Sequence, residues 1–130
     1  MSQRSVSVQN ITATLWAIAE EIDDDDDDVL EITIDVSNDS KQDMWDIQGD
    51  VKAMDGTHGL TRESPSRIES KNNGDLTFWI PSETGAWLFK LDFSTNFGHE
   101  TIELGPFSSD LRIAASERPA RKLENKGTTE

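Results

Sequence analysis

From Leu30 to Val36 the chain alternates strictly. Leu30, Ile32, Ile34 and Val36 fall on one side, with Glu31, Thr33 and Asp35 between them. A period of two is the mark of a half-buried strand. The run stops at Asn38-Asp39-Ser40, whose short side chains can bond nearby backbone groups and so turn the chain. A second alternation sets Trp45, Ile47, Gly49, Val51 and Ala53 on one face and Asp46, Gln48, Asp50 and Lys52 on the other, which predicts a central strand. Asp55-Gly56 then supplies a strong turn signal. Residues 57–70 lose all clear period around Ser64-Pro65-Ser66, so a loop is predicted there, with a short edge strand near Ile68.

Asn72-Asn73-Gly74-Asp75 reads as a turn into a strand in which Leu76, Phe78 and Ile80 alternate with Thr77 and Trp79, closed by Pro81. Beyond Ser82-Glu83-Thr84-Gly85, the positions Trp87, Phe89, Leu91 and Phe93 make the most apolar face of the chain, and this strand belongs in mid-sheet. Ile102, Leu104, Phe107, Ser109, Leu111 and Ile113 predict one long last strand, broken by a bulge at Gly105-Pro106.

The first segment satisfies two periods at once. Leu15, Ile18, Ala19 and Ile22 recur at helical spacing, while Ile11, Ala13, Leu15 and Ala17 recur at strand spacing. A helix would end against Asp23–Asp28, with six negative charges at the negative end of its dipole. The β-branched residues Val6, Val8, Ile11, Thr12 and Thr14 also favour strand. Two short strands kinked at Asn10 are therefore expected. The fold class that follows is all-β: an antiparallel two-sheet, immunoglobulin-like sandwich of about seven strands. Residues 1–114 form one domain with an acidic loop at 23–28, and the polar composition of 115–130 predicts a flexible tail.

The stretch Glu31–Ser40, continued by Val51–Gly56, resembles the immunoglobulin-like sandwich modules of bacteria and archaea grouped as FxLYD-type domains. There a strand ends in Val-x-Asn-x-Ser and the next runs into an aromatic-Asp-x-x-Gly turn; here Met54 holds the aromatic position and Gly56 follows Asp55 directly. Thr84–Phe89 is similar to the Gly-x-Tyr-x-Phe entry of the penultimate strand in many such sandwiches, with Trp87 in the place of the tyrosine that makes a corner hydrogen bond. The resemblance spans about residues 28–113. It carries over no catalytic residue and implies a binding or spacer role.

Charge narrows the partners. Against 12 Lys and Arg stand 26 Asp and Glu, a formal net charge of −14 over 130 residues. Such a field repels phosphate backbones and anionic lipid, so neither nucleic acid nor a membrane is an expected partner. Only the tail 117–130 inverts the sign, with Arg118, Arg121, Lys122 and Lys126 against Glu117, Glu124 and Glu130. The absence of cysteine excludes a disulfide scaffold, and no apolar stretch approaches the roughly 18 residues of a membrane helix. Met1–Val6 lacks the features of a secretory signal, which points to a cytoplasmic or virion-associated protein or a piece of a larger one. The triplets Asn10-Ile11-Thr12 and Asn38-Asp39-Ser40 read as a kink and a turn rather than glycosylation sites.

Two groups of residues are candidates for function. Asp23, Asp24, Asp25, Asp26, Asp27 and Asp28 offer the hard oxygens that calcium takes, and Asp55 and Glu83 belong to loops at the same end of an immunoglobulin-like topology. An unbroken acidic run self-repels, so it should stay extended and solvated, and any calcium affinity should be weak; no other cofactor is expected. Charge serving solubility alone is the alternative use of this acidity. The second group is aromatic. If Leu15 and Phe78 face inward, Trp16 and Trp79 face outward on one sheet with Thr33 between them, a surface of the kind that receives a partner. In the opposite register Trp16 would be buried. Trp45 and Trp87 are core candidates, and Leu88 a lone exposed apolar residue.

His58 and His99 sit in separate loops, no Gly-x-Ser-x-Gly elbow or phosphate-cradling loop is present, and no enzyme activity is expected. The leading expectation is a noncatalytic interaction or assembly module. It would bind another protein or itself through the Trp16/Trp79 face or an exposed sheet edge. A calcium-responsive or carbohydrate-binding sandwich using the Asp23–Asp28 loop is the alternative.

Overall fold

The structure is a computed structural model, and it describes residues 3–114. The tail expected at 115–130 lies outside the described residues. Among the described residues nine strands follow one another: β1 (Ser5–Val8), β2 (Ile11–Ile22), β3 (Asp28–Asn38), β4 (Met44–Ala53), β5 (Leu60–Glu63), β6 (Arg67–Ile68), β7 (Asn72–Pro81), β8 (Trp87–Thr95) and β9 (Gly98–Phe107). They form a five-stranded sheet in the order β1-β2-β3-β7-β5 and a four-stranded sheet in the order β6-β4-β8-β9. Every strand pair is antiparallel. The expected two-sheet sandwich is what forms, compatible with an immunoglobulin-like module, with nine strands rather than seven.

One continuous apolar layer holds the sheets together. Ile11, Ala13, Leu15 and Ile18 of β2, Leu30, Ile32, Ile34 and Val36 of β3, and Leu76, Phe78 and Ile80 of β7 face Met44, Ile47 and Val51 of β4 and Trp87, Phe89, Leu91 and Phe93 of β8. Burying a Leu, Ile or Phe side chain of this kind contributes about 1.5–3 kcal/mol. Phe78 and Phe89 meet across the layer with ring centroids 5.8 Å apart and planes tilted by 59°. Gly49 makes their approach possible, because a Cβ there would lie 2.5 Å from Leu76 Cδ2 and 2.9 Å from Phe78 Cζ.

The ambiguity of the first segment has a structural cause. β2 pairs with β3 through Leu15↔Ile34 and then Ala17↔Thr33, so Trp16 and Ala17 together oppose Thr33 in a β-bulge. The extra residue slips the inward beat by one, and Leu15 and Ile18 both enter the core three residues apart. That is why a continuous strand carries a helical spacing. The kink at Asn10 is a turn between β1 and β2, with Gln9 and Asn10 at φ values of 54° and 65°.

Elsewhere tertiary pairing overrides the local pattern. Trp45, expected in the core, is only half-buried, because a bulge around Asp46 (φ 53°) shifts the register and sends Met44 inward in its place. Asn72–Asp75, expected as a turn, is the start of β7 and pairs with Asp35–Asn38; the turn falls one step earlier, where the Asn72 N–H bonds the Glu69 carbonyl. Gly74 lets the chain pass close to Ile68 and Pro65, each 3.2 Å from where its Cβ would stand. The aperiodic segment 57–70 contains two edge strands, β5 on one sheet and β6 on the other, with Ser64-Pro65-Ser66 carrying the chain between sheets. The predicted long last strand ends at Phe107. Beyond it Ser108 and Leu111 close a turn, and Ile113 crosses to the edge of β2, its N–H 3.2 Å from the Ile18 carbonyl. Leu88 is half-buried rather than exposed.

Asn38 ties one end of the sandwich. It is fully buried; its Nδ2 donates to the carbonyls of Gln42 (2.7 Å) and Ile68 (3.2 Å), and its Oδ1 accepts from the Ser40 amide and hydroxyl. Nearby, the Ser70 backbone N–H and then the Arg67 guanidinium hold the Asp43 carboxyl below its usual range.

Three outcomes are expected. Gly49→Ala should lower unfolding free energy by about 1–3 kcal/mol in chemical denaturation, because the added methyl overpacks the Leu76/Phe78 contact. Asn38→Ala should cost about 2–3 kcal/mol, since it leaves buried carbonyls and an amide without partners. The depressed pKa of Asp43 contributes stability that is complete above the unfolded value near 3.8 and is lost as pH falls through the lower folded value. Asp43→Asn should therefore melt below wild type at neutral pH, and the two melting temperatures should converge on acidification.

Candidate functional site

The outer face of the five-stranded sheet carries the first candidate. The odd-numbered residues of β3 point outward, and the register builds rows across the sheet from them. Thr33 lies between the bulged pair Trp16–Ala17 on one side and Thr77 on the other. In the next row Ala19, Glu31, Trp79 and Leu60 stand side by side. Trp16, Thr33 and Trp79 thus share one outward face, as the sequence suggested. Trp16 follows the inward Leu15 by alternation, and the bulge beyond it returns Ile18 to the core.

Neither tryptophan is bare, and both are half-buried. The Trp79 Nε1–H donates to Glu31 Oε2 at 3.0 Å, and the Arg62 guanidinium lies 4.0 Å from the ring centroid. A hydrogen bond at the edge and a cation over the face fix this ring while leaving part of it open. Two strand spacings and one row of about 7 Å separate the backbone positions of Trp16 and Trp79, a span of roughly 12 Å.

Farther along the same face, polarity becomes acidic. Asp35 is 2% exposed; its Oδ2 accepts from the Ser37 hydroxyl at 3.0 Å and its Oδ1 from the Asn73 amide at 2.9 Å. Directly opposite it in the β3–β7 register stands Asp75. Two carboxylates facing each other across a strand pair repel. The sequence pattern marked Asp35 as an outward position of a half-buried strand, and nothing in the pattern signalled its burial or its acidic neighbour.

The acidic loop lies at one end of the sandwich, joining β2 to β3. It is compact, not extended. Asp23 Oδ1 accepts from the Asp25 and Asp27 amides, both at 2.9 Å, the Asp23 N–H bonds the Asp27 carbonyl, and Asp26 takes a φ of 62°. These local bonds cap the loop, because aspartate side chains bond readily to their own following backbone. Asp24 and Asp25 project into solvent. Glu83 does join Asp23, Asp26, Asp27 and Asp28, around a shallow hollow of about 380 Å³. Asp55 does not line that hollow; its carboxylate caps its own turn by accepting from the Thr57 N–H at 2.9 Å, which holds its pKa below the usual value. Among the described residues no group of three or more His, Asp or Glu side chains stands in an arrangement that would hold a metal ion.

The opposite end carries a feature the pattern did not reveal. A cleft of about 350 Å³ opens between the β1–β2 turn (Gln9, Asn10), the β3–β4 connection (Asp39–Gln42), Lys71 and the β8–β9 hairpin. Phe97, at the tip of that hairpin, is 75% exposed. His58 and His99 are both exposed and each faces an aspartate, Asp50 at 3.0 Å and Asp92 at 3.4 Å. Among the described residues no helix is long and apolar enough to cross a membrane.

No protein-family model matches the chain, and a search of curated proteins finds none similar to it in sequence.

The Arg62–Trp79–Glu31 stack is expected to orient rather than to stabilise. Arg62→Ala should increase acrylamide quenching of tryptophan emission, while lowering unfolding free energy by no more than about 1 kcal/mol.

Proposed function

We propose that this chain is a noncatalytic interaction or assembly module, and that it binds another protein or a second copy of itself through the outer face of the five-stranded sheet. The observation that carries this reading is the placement of Trp16 and Trp79, each half-buried, on one face of a single sheet, with Trp79 held by Glu31 and Arg62. Large rings fixed before contact supply apolar area at little entropic cost, which is why tryptophan anchors dominate so many interfaces. The arrangement also agrees with the binding or spacer role that the FxLYD-type resemblance implies. A sheet edge is the other surface available: β1 and β5 are four residues long and β6 two, too short to template much pairing, whereas the edge strand β9 runs over ten residues, Gly98–Phe107.

A second reading, weak calcium binding by the acidic loop, has one observation in its favour, the meeting of Glu83 with Asp23, Asp26, Asp27 and Asp28. Two backbone bonds already engage Asp23 Oδ1. Calorimetric titration separates the two readings. Heat and a raised melting temperature at millimolar calcium would support the second.

The interaction reading is tested by Trp16→Ala and Trp79→Ala, checked for retained β-structure by far-ultraviolet dichroism. Each should weaken self-association in light scattering, or partner capture from the native host, by about tenfold or more. A strictly monomeric protein whose two variants capture the same partners as wild type overturns the reading.

A further inference from the structure

The longest sheet edge among the described residues is β9, at one side of the four-stranded sheet. β1, the edge of the facing sheet, packs beside it but pairs only with β2. The register fixes which backbone groups β9 leaves open. Thr95 and Gly98 flank the two-residue turn Asn96-Phe97, so they exchange both of their hydrogen bonds. Bonded pairs then fall at every second step, at Phe93↔Glu100, Leu91↔Ile102 and Phe89↔Leu104. His99, Thr101 and Glu103 therefore aim their N–H and C=O groups away from β8, and no backbone bond reaches them among the described residues. Their side chains are exposed on the outer side of the sheet. Edges are commonly blunted by lysine, proline or a bulge. His99–Leu104 contains none of these, and the register shift comes only beyond Leu104, at Gly105 and Pro106.

Charge identifies what fits this edge. Across the sheet Asp50, Lys90 and Glu103 stand in one row, anion, cation and anion, and the row stops at Glu103. Glu103 and His99 lie two residues to either side of Thr101. A second β9 laid antiparallel, Thr101 against Thr101, sets each Glu103 opposite His99 of the other copy and lets all three open positions pair. Imidazole donates to a carboxylate and is cationic when protonated. His99 Nε2 faces Asp92 of its own chain at 3.4 Å, which leaves the other ring nitrogen for Glu103 of the second copy. Centring the pair one residue to either side breaks the match, and centring it on Glu103 sets carboxylate against carboxylate. The edge is complementary to itself in one register.

We propose that two copies of this chain pair edge to edge through β9, antiparallel about Thr101, so that their four-stranded sheets join into one continuous sheet. About six backbone bonds and two Glu103–His99 pairs hold the junction. One strand pair buries less than the roughly 1,200 Å² of a standard interface, so the dimer should dissociate on dilution. This pairing gives the self-association of the proposed function a place apart from the tryptophan face, and it does not depend on that face.

Sedimentation equilibrium of the full chain should show monomer and dimer at about 0.15 M salt, where repulsion between copies of net charge −14 is screened. Thr101→Pro removes the central outward N–H without touching the β8 ladder and should weaken dimerisation about tenfold or more. Thr101→Ala loses only the 2.6 Å bond from the threonine hydroxyl to Asp92 and should weaken it no more than about threefold. His99→Glu should weaken it about fivefold or more, and His99→Glu combined with Glu103→His should recover wild-type association to within about threefold. The chain has no cysteine, and directly opposed Cα atoms in such a pair stand about 5.5 Å apart. Oxidised with diamide, Thr101→Cys should therefore form an interchain disulfide about tenfold or more faster than His99→Cys, whose two positions lie roughly 14 Å apart. This comparison stands even where Thr101→Pro fails to fold. A chain still monomeric at about 1 mM overturns the proposal. So does a dimer indifferent to Thr101→Pro, a double variant that does not recover, or equal cross-linking at the two positions. Dimerisation lost in Trp16→Ala or Trp79→Ala but kept in Thr101→Pro also overturns it, and places the second copy on the tryptophan face. A dimer that depends on Thr101, with partner capture indifferent to both tryptophans, supports the pairing and removes the patch function alone.

Discussion

Phe78 and Phe89, one from each sheet, meet in the middle of the sandwich above the one position of β4 that has no side chain. The spacing of the two sheets is set there, and the rest of the apolar layer fills in around it. With Leu76, Phe78 and Phe89 all closed off from solvent, Gly49 acts as a socket rather than a flexible joint. Close-packed interiors transmit such a constraint widely, because neighbouring side chains cannot yield independently.

That constraint decides where the tryptophans stand. Holding both Leu15 and Ile18 in the layer requires an extra residue between β2 and its partner, and the extra residue is Trp16. Bringing Met44 inward likewise turns Trp45 toward solvent. Trp87 alone of the four is fully buried; its ring packs on Phe107 at 4.9 Å, and its Nε1 has no hydrogen-bond partner among the described residues. A tyrosine in that position would carry its polar atom at the far end of the ring, where a corner bond can be made. Indole presents its N–H from the side.

Negative charge is distributed in three different ways. The acidic loop answers repulsion with backbone bonds inside a tight turn. Exposed ion pairs such as Arg112–Glu20 and Lys71–Asp39 add little, as surface pairs generally do. Asp35 is the exception, a carboxylate shut away on an outward face and opposed by another. It is this concentration of charge beside two tryptophans that gives the five-stranded sheet a face of mixed aromatic and acidic character.

The period-two alternation of β3, β7 and β8 was legible directly, because each strand is apolar on one side and its partners keep it in register. The all-β class and the two-sheet layering followed from it. The candidate patch could also be read, since Trp79 follows from Phe78 by alternation. What the chain alone did not reveal arises where hydrogen bonding to a distant strand outweighs local preference: the bulges at Trp16 and Asp46, the strand role of Asn72–Asp75, the edge strand β5 beside the one expected near Ile68, and the end of β9 at Phe107. The meeting of Asp35 with Asp75, and of Glu83 with the aspartate loop, belongs to the same category. Alternation is a property of one strand and is written in its residues, whereas register and loop contact are properties of pairs, settled only when both partners are in place.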